Sequence, residues 1–156
     1  MSESLSSSSP VCKRLQTAMQ QAAAKRPAVN GFPYFAEGLR QHAGMTKNIW
    51  YLPSCQSVHY IKRELSDSDD TDDLLVVVMQ NKPLITGMME VPPMRRGLLV
   101  EAIDKDKAGG SFPDFLKATW EAGIIRYEVD FVARTVKYYG SHPSDVYEET
   151  YPHVKL

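Results

Sequence analysis

The strongest constraint on how this chain can fold is that it says much the same thing twice. Phe32-Pro33-Tyr34-Phe35 opens a helical stretch that ends at Ala43-Gly44 and leads to a strand pair closing on Val58-His59-Tyr60-Ile61. Phe112-Pro113-Asp114-Phe115 runs the same way through Ala122-Gly123 to Val136-Lys137-Tyr138-Tyr139. Proline just inside a helix start and glycine just past its end mark the two termini of a helix in sequence. Units of about 11–63 and 94–140 therefore each carry helix, linker, Phe-Pro-x-Phe helix and hairpin. Each unit exposes an apolar helix face and an apolar sheet face, and packing the two together buries both.

The remaining elements follow from periodicity. Val11, Leu15, Ala18, Met19 and Ala22 recur at helical spacing before Pro27. Met45–Leu52 and Cys55–Arg63, separated by Pro53-Ser54, read as a hairpin, and Leu74–Gln80 as a buried strand. Leu84–Met88 reads as a further strand, ended by Pro92-Pro93. Met94–Lys107 forms a third helix, and Ser111 ahead of Phe112-Pro113-Asp114 supplies a capping oxygen for the fourth. Ile125, Tyr127, Val129 and Phe131 alternate with Arg126, Glu128 and Asp130, a half-buried strand. Residues 141–156 read as an irregular tail, the serine-rich residues 1–10 as a disordered lead-in, and the acidic stretch 64–73 as a solvated loop. The expected fold is α+β in two layers: an antiparallel-dominated sheet of about six strands with four helices mainly on one side, in one domain over 11–156.

Composition narrows the function classes. The 156 residues carry a formal net charge of −1 with 24% charged residues, so no global positive field gathers phosphates, and nucleic acid is not expected as a partner. No apolar run reaches the roughly 18 to 20 residues of a membrane span. Two cysteines, Cys12 and Cys55, fit free thiols in a reducing compartment, and the start lacks a secretory pattern, so a cytoplasmic protein is expected.

Two constellations could carry chemistry. Cys55, Ser57 and His59 alternate and would share a strand face, making Cys55 a candidate nucleophile with His59 as base, although strand residues four apart lie about 13 Å apart. Glu121 could pair with Arg126 after the fourth helix, with Glu128 and Asp130 nearby on a polar sheet face. Arg126 and Tyr139 are the candidate ligand-binding residues, Tyr139 sharing its face with Thr135 and Lys137 and able to line a groove or interface. The acids of 67–73 fail the calcium-loop pattern, with Asp72 where glycine is needed and Val78 where glutamate is needed. No metal set and no cofactor motif is expected.

The segment FPDFLKATWEAGIIRYEVDF, Phe112 to Phe131, followed by Arg134-Thr135-Val136-Lys137-Tyr138-Tyr139-Gly140, resembles the YdfO-like family of small bacterial and prophage-associated proteins of unknown function. Trp50 through Ser57 and Pro83 through Gly87 match that family as well, so the resemblance covers roughly Val11 to Val154. It implies a two-layer α+β fold and no established activity or cofactor. Lacking a specific catalytic motif, the chain reads as a non-enzymatic binding or interaction module for an unknown protein or small-molecule ligand, with homo-oligomerisation open. The alternative is a small enzyme using Cys55 with His59, or Glu121 with Arg126.

Overall fold

Residues 9–65 and 73–156 are described by the structure, a computed structural model. Ser9 accepts a hydrogen bond from the Cys12 N–H, and Pro10 occupies the first turn, so α1 (Pro10–Lys25) begins inside the expected disordered lead-in. Residues 1–8 and 66–72 of the lead-in and the acidic loop lie outside the described residues. Leu15, Ala18 and Ala22 form the buried stripe of α1. Helix α2 (Phe32–Ala43) buries Ala36, Leu39 and Ala43 and ends at Gly44, whose φ of 75° is the left-handed cap conformation. Its Gly38 lets the two helices close to van der Waals distance, with an added Cβ only 3.1 Å from Ala22 Cβ.

Strands β1 (Met45–Tyr51), β2 (Gln56–Lys62) and β3 (Leu74–Gln80) follow, then α3 (Arg96–Lys107), α4 (Phe112–Glu121), β4 (Arg126–Asp130), β5 (Thr135–Tyr139) and β6 (Val146–Thr150). All pairings are antiparallel in the order β3-β2-β1-β4-β5-β6. Each half is thus two helices and three strands, and β1 and β4 join the halves at the centre of the sheet. The main core cluster lies on one sheet face: Ile61, Tyr127, Val129, Val136 and Tyr138 pack with Leu15, Leu39, Leu99, Ile103, Leu116 and Trp120 of the helices, while Ile49 is buried on the other face. The alternating strand residues Lys47, Ile49, Val58, Tyr60, Val76, Val78, Arg126, Glu128, Lys137 and Tyr139 face the other way.

Three expectations are corrected. Leu74–Gln80 is a strand as expected but not a buried one: it is the edge of the sheet, with Val76 and Val78 exposed, because no further strand pairs with it among the described residues. Leu84–Met88 forms no strand; Leu84 N–H bonds to the Pro53 carbonyl and the segment instead crosses the end of the sheet toward α3. Residues 141–156 are not wholly irregular, because 146–150 supply the sixth strand. Its alternation mixes Glu148 and Glu149 with Val146 and Tyr147 and so lacks an apolar signature.

The register also corrects how the two units superpose. Ile49 stands five residues past Gly44 and Glu128 five past Gly123, and these two residues face each other across the β1–β4 seam. Ile49 pairs with Val58 as Glu128 pairs with Lys137, so Val58 corresponds to Lys137, His59 to Tyr138 and Tyr60 to Tyr139. Matching Val58-His59-Tyr60 with Val136-Lys137-Tyr138 by letter slips one residue and exchanges the two faces.

Gly123, at φ 89°, is where this packing is least forgiving: a Cβ there would sit 2.5 Å from the Pro93 carbonyl oxygen and 2.6 Å from Met94 Cα. Gly123→Ala is expected to cost about 3 kcal/mol in chemical denaturation. Gly97→Ala, with open space around it in α3, should instead stabilise by up to about 1 kcal/mol.

Candidate functional site

The sequence-selected residues fall in three separate places. Cys55 and His59 lie beneath the helices, Arg126 and Tyr139 on the uncovered sheet face, and Glu121 is exposed at the end of α4. The structure unites Arg126 with Tyr139. It does not bring Glu121 to Arg126, whose guanidinium lies against Tyr139 and Glu128 instead.

Ser57 and His59 share the helix-facing side of β2 as their spacing predicts, but Cys55 precedes the strand with a left-handed φ of 59°. His59 is 2% exposed. Asn48 of β1 donates from Nδ2 to the Val58 carbonyl at 3.0 Å, and the same nitrogen lies 3.2 Å from His59 Nδ1. The carbonyl fixes the amide orientation, so Nδ1 is the acceptor and Nε2 carries the proton. Nε2–H then donates to Ser57 Oγ at 2.9 Å, and Asn81 Nδ2 donates to the same oxygen at 3.1 Å. A serine activated by histidine needs the reverse polarity, with Nε2 accepting the hydroxyl proton. Burial pushes the imidazole pKa down to about 4, so the ring is neutral at pH 7. Burial also raises the Cys55 thiol, outweighing the hydrogen bond from the Leu84 backbone, which holds it in the unreactive form. This arrangement satisfies buried polar atoms; it neither generates a thiolate nor frees a base.

The open face carries a different chemistry. Arg126 lies with Cζ 3.9 Å from the centroid of the Tyr139 ring, its cross-strand partner. Glu128 accepts from Lys47 Nζ at 2.9 Å and has Arg126 Nε at 3.7 Å. Burial pushes the Glu128 carboxyl up, but hydrogen bonding and charge from Lys47, with help from Tyr139 and Arg126, leave it below its ordinary value. Lys47 is raised in turn, first by its bond to Glu128. Lys137 and Glu148 are 3.6 Å apart. Reading across strands, Glu128, Lys137 and Glu148 form a row of alternating sign that continues on the other side into Ile49, Val58 and Val78. Along this row the second half is charged and the first apolar.

Two clusters escaped sequence reasoning. Glu37, 1% exposed, receives Arg134 Nε at 2.8 Å and lies 3.8 Å from Arg40, tying α2 to the β4–β5 turn. No spacing signal connects residues 97 positions apart. Burial raises the Asp106 carboxyl against the opposing charge of Arg26, 3.6 Å away, and raises Glu149 despite Lys107 at 4.0 Å and a hydrogen bond from Tyr138. Glu149 was unreadable because β6 was. Among the described residues no group of three His, Cys, Asp or Glu is placed to hold a metal ion.

The His59 cluster sets a pH dependence. Below the unfolded pKa of 6.5 the unfolded chain gains a proton that the folded imidazole refuses until about pH 4, so stability falls as pH drops through that window. The loss is about 3 kcal/mol at its limit, and His59→Gln, though less stable at pH 7, should show a flatter slope between pH 6.5 and 4 in denaturant titrations. Thiol labelling of the native protein should modify half-exposed Cys12 readily and Cys55 only at the rate of opening or unfolding.

No family model matches the chain. The uncharacterized protein Rv2012 of Mycobacterium tuberculosis is 43% identical over 142 residues, covering 90% of this chain and 79% of the relative. The uncharacterized protein Mb2035 of Mycobacterium bovis matches with the same identity and coverage. At that identity and coverage, the chain belongs to the family of these uncharacterized mycobacterial proteins.

Proposed function

We propose that the protein is a non-enzymatic interaction module whose uncovered sheet face receives a protein partner. The observation that carries this reading is the face itself: six strands with helices packed on one side only. The opposite side presents Val76, Val78 and Tyr51 to solvent next to Tyr60 and Tyr139. An apolar patch beside a rim of paired charges is the anatomy of a protein interface. Lys47, Glu128, Lys137 and Glu148 mix both signs, which favours a protein surface over a phosphate backbone. The donor role of His59 Nε2–H and the raised Cys55 thiol count against the enzyme alternative built on those two residues. A small ligand at Arg126 and Tyr139 is less favoured, because the guanidinium is already stacked and paired.

Two further elements belong to this proposal. Free Cys12 and Cys55 support work in a reducing, cytoplasmic setting. No described helix is long and apolar enough to cross a membrane. Membership in the YdfO-like family rests on the matching segments at 50–57, 83–87 and 112–140.

Lysine cross-linking in lysate, read by mass spectrometry, tests the reading. Lys47 and Lys137 report on the open face; Lys105, Lys107 and Lys117 report on the helices. Protein adducts should concentrate at Lys47 and Lys137 and fall about tenfold or more in Arg126→Ala/Tyr139→Ala. Adducts confined to the helical lysines, or unchanged in the double variant, would overturn it.

A further inference from the structure

Strand β3 is uncovered along its outer edge and on its open face. It is an edge of the sheet, with β2 on one side and, among the described residues, no strand on the other. On the open face Val76 is 54% exposed and Val78 56%. Even its core-facing residues Leu75, Val77 and Met79 are only half-buried. Leu74–Gln80 contains no charge, no proline and no register break, so the strand's own sequence carries none of the residues that keep edge strands from pairing.

The other edge of the same sheet is protected. Because Val58 corresponds to Lys137, their partners Val78 and Glu148 also correspond, and with them Met79 and Glu149. At the positions where β6 carries two glutamates, β3 carries valine and methionine. Moreover, the sheet centre already shows two similar units joined edge to edge, β1 antiparallel to β4.

We infer that β3 pairs antiparallel with β3 of a second copy of this chain, giving one continuous twelve-stranded sheet across a two-fold axis. The charges around the strand fit this occupant. Asp73 precedes β3 and Lys82 follows it. Antiparallel pairing sets each Asp73 end beside the partner's Lys82 end, whereas parallel pairing would set like charges side by side at both ends. The pairing extends the apolar rows of Val58, Val76 and Val78 into the partner. The inference rests on the reading of that face as an interaction surface.

Sedimentation of the full chain at micromolar concentration tests it. Wild type should run at twice the 17.6 kDa chain mass. Val76→Glu/Val78→Glu and Val76→Lys/Val78→Lys should each be monomeric, with self-association at least about 100-fold weaker, since like charges then oppose across the two-fold. An equimolar mixture of the two should recover the dimer, which unfolded chains could not do. Glu148→Lys at the far edge should leave the dimer unchanged. A monomeric wild type would overturn the inference, as would a dimer that persists in both double variants or a mixture that stays monomeric. Any of these outcomes leaves the cross-linking result at Lys47 and Lys137 to decide the broader reading separately.

Discussion

Everything else in this molecule is positioned by the antiparallel seam between β1 and β4. Each half alone would be two helices on three strands with an unsatisfied strand edge and a narrow apolar surface. The seam pairs Lys47 through Tyr51 with Asp130 through Arg126, so the backbone groups of both inner strands are satisfied. Trp50 then stacks on Tyr127 at 6.4 Å with 3° between planes, and meets Phe112 of α4 edge-on at 5.1 Å. The helix of one half is thereby packed onto a strand of the other. Glu37 to Arg134, Arg26 to Asp106 and the Asn30 N–H to the Lys107 carbonyl add further bonds between halves.

Local signals made much of this legible. Ser111, Pro113 and Gly44 act where their chemistry says they must, at helix ends with free N–H groups or a left-handed turn. The clean alternation from Ile125 to Phe131 gives β4 its face. What failed was information carried by partners. Leu84–Met88 has the composition of a strand, yet it lies outside the ladder that extends from β3 to β6. Residues 146–150 look polar, yet the β5 edge needs a neighbour and Tyr147 packs beside Tyr138, with ring centroids 6.2 Å apart. The one-residue slip between β2 and β5 had the same origin. Letters can match while faces do not, and only cross-strand register separates Val58 from Val136.

The corrected register also relocates the difference between the halves. On the covered face the first half holds Asn48, Ser57 and His59 where the second holds Tyr127, Val136 and Tyr138. Buried hydrogen bonds do in one half what aromatic packing does in the other. On the uncovered face the first half presents Ile49, Val58 and Val78 where the second presents Glu128, Lys137 and Glu148. The candidate catalytic residues Cys55 and His59 thus belong to an interior solution, while the asymmetry on the face without helices is apolar against charged. Arg126 and Tyr139 were found in the sequence because their face was readable; the ion pairs around them were not, because Lys47 reaches Glu128 from across the seam and Glu148, the partner of Lys137, lies on the unrecognised strand.

Residue-resolved amide hydrogen exchange under native conditions tests the seam most directly. If the two halves fold as one unit through it, the ladder amides of β1 and β4 form the slowest class and open with the same free energy, equal to that of global unfolding by denaturant. If β4, β5 and their helices exchange at a distinctly lower free energy while β1 and β2 stay protected, the halves are independent and the seam is not what holds the fold.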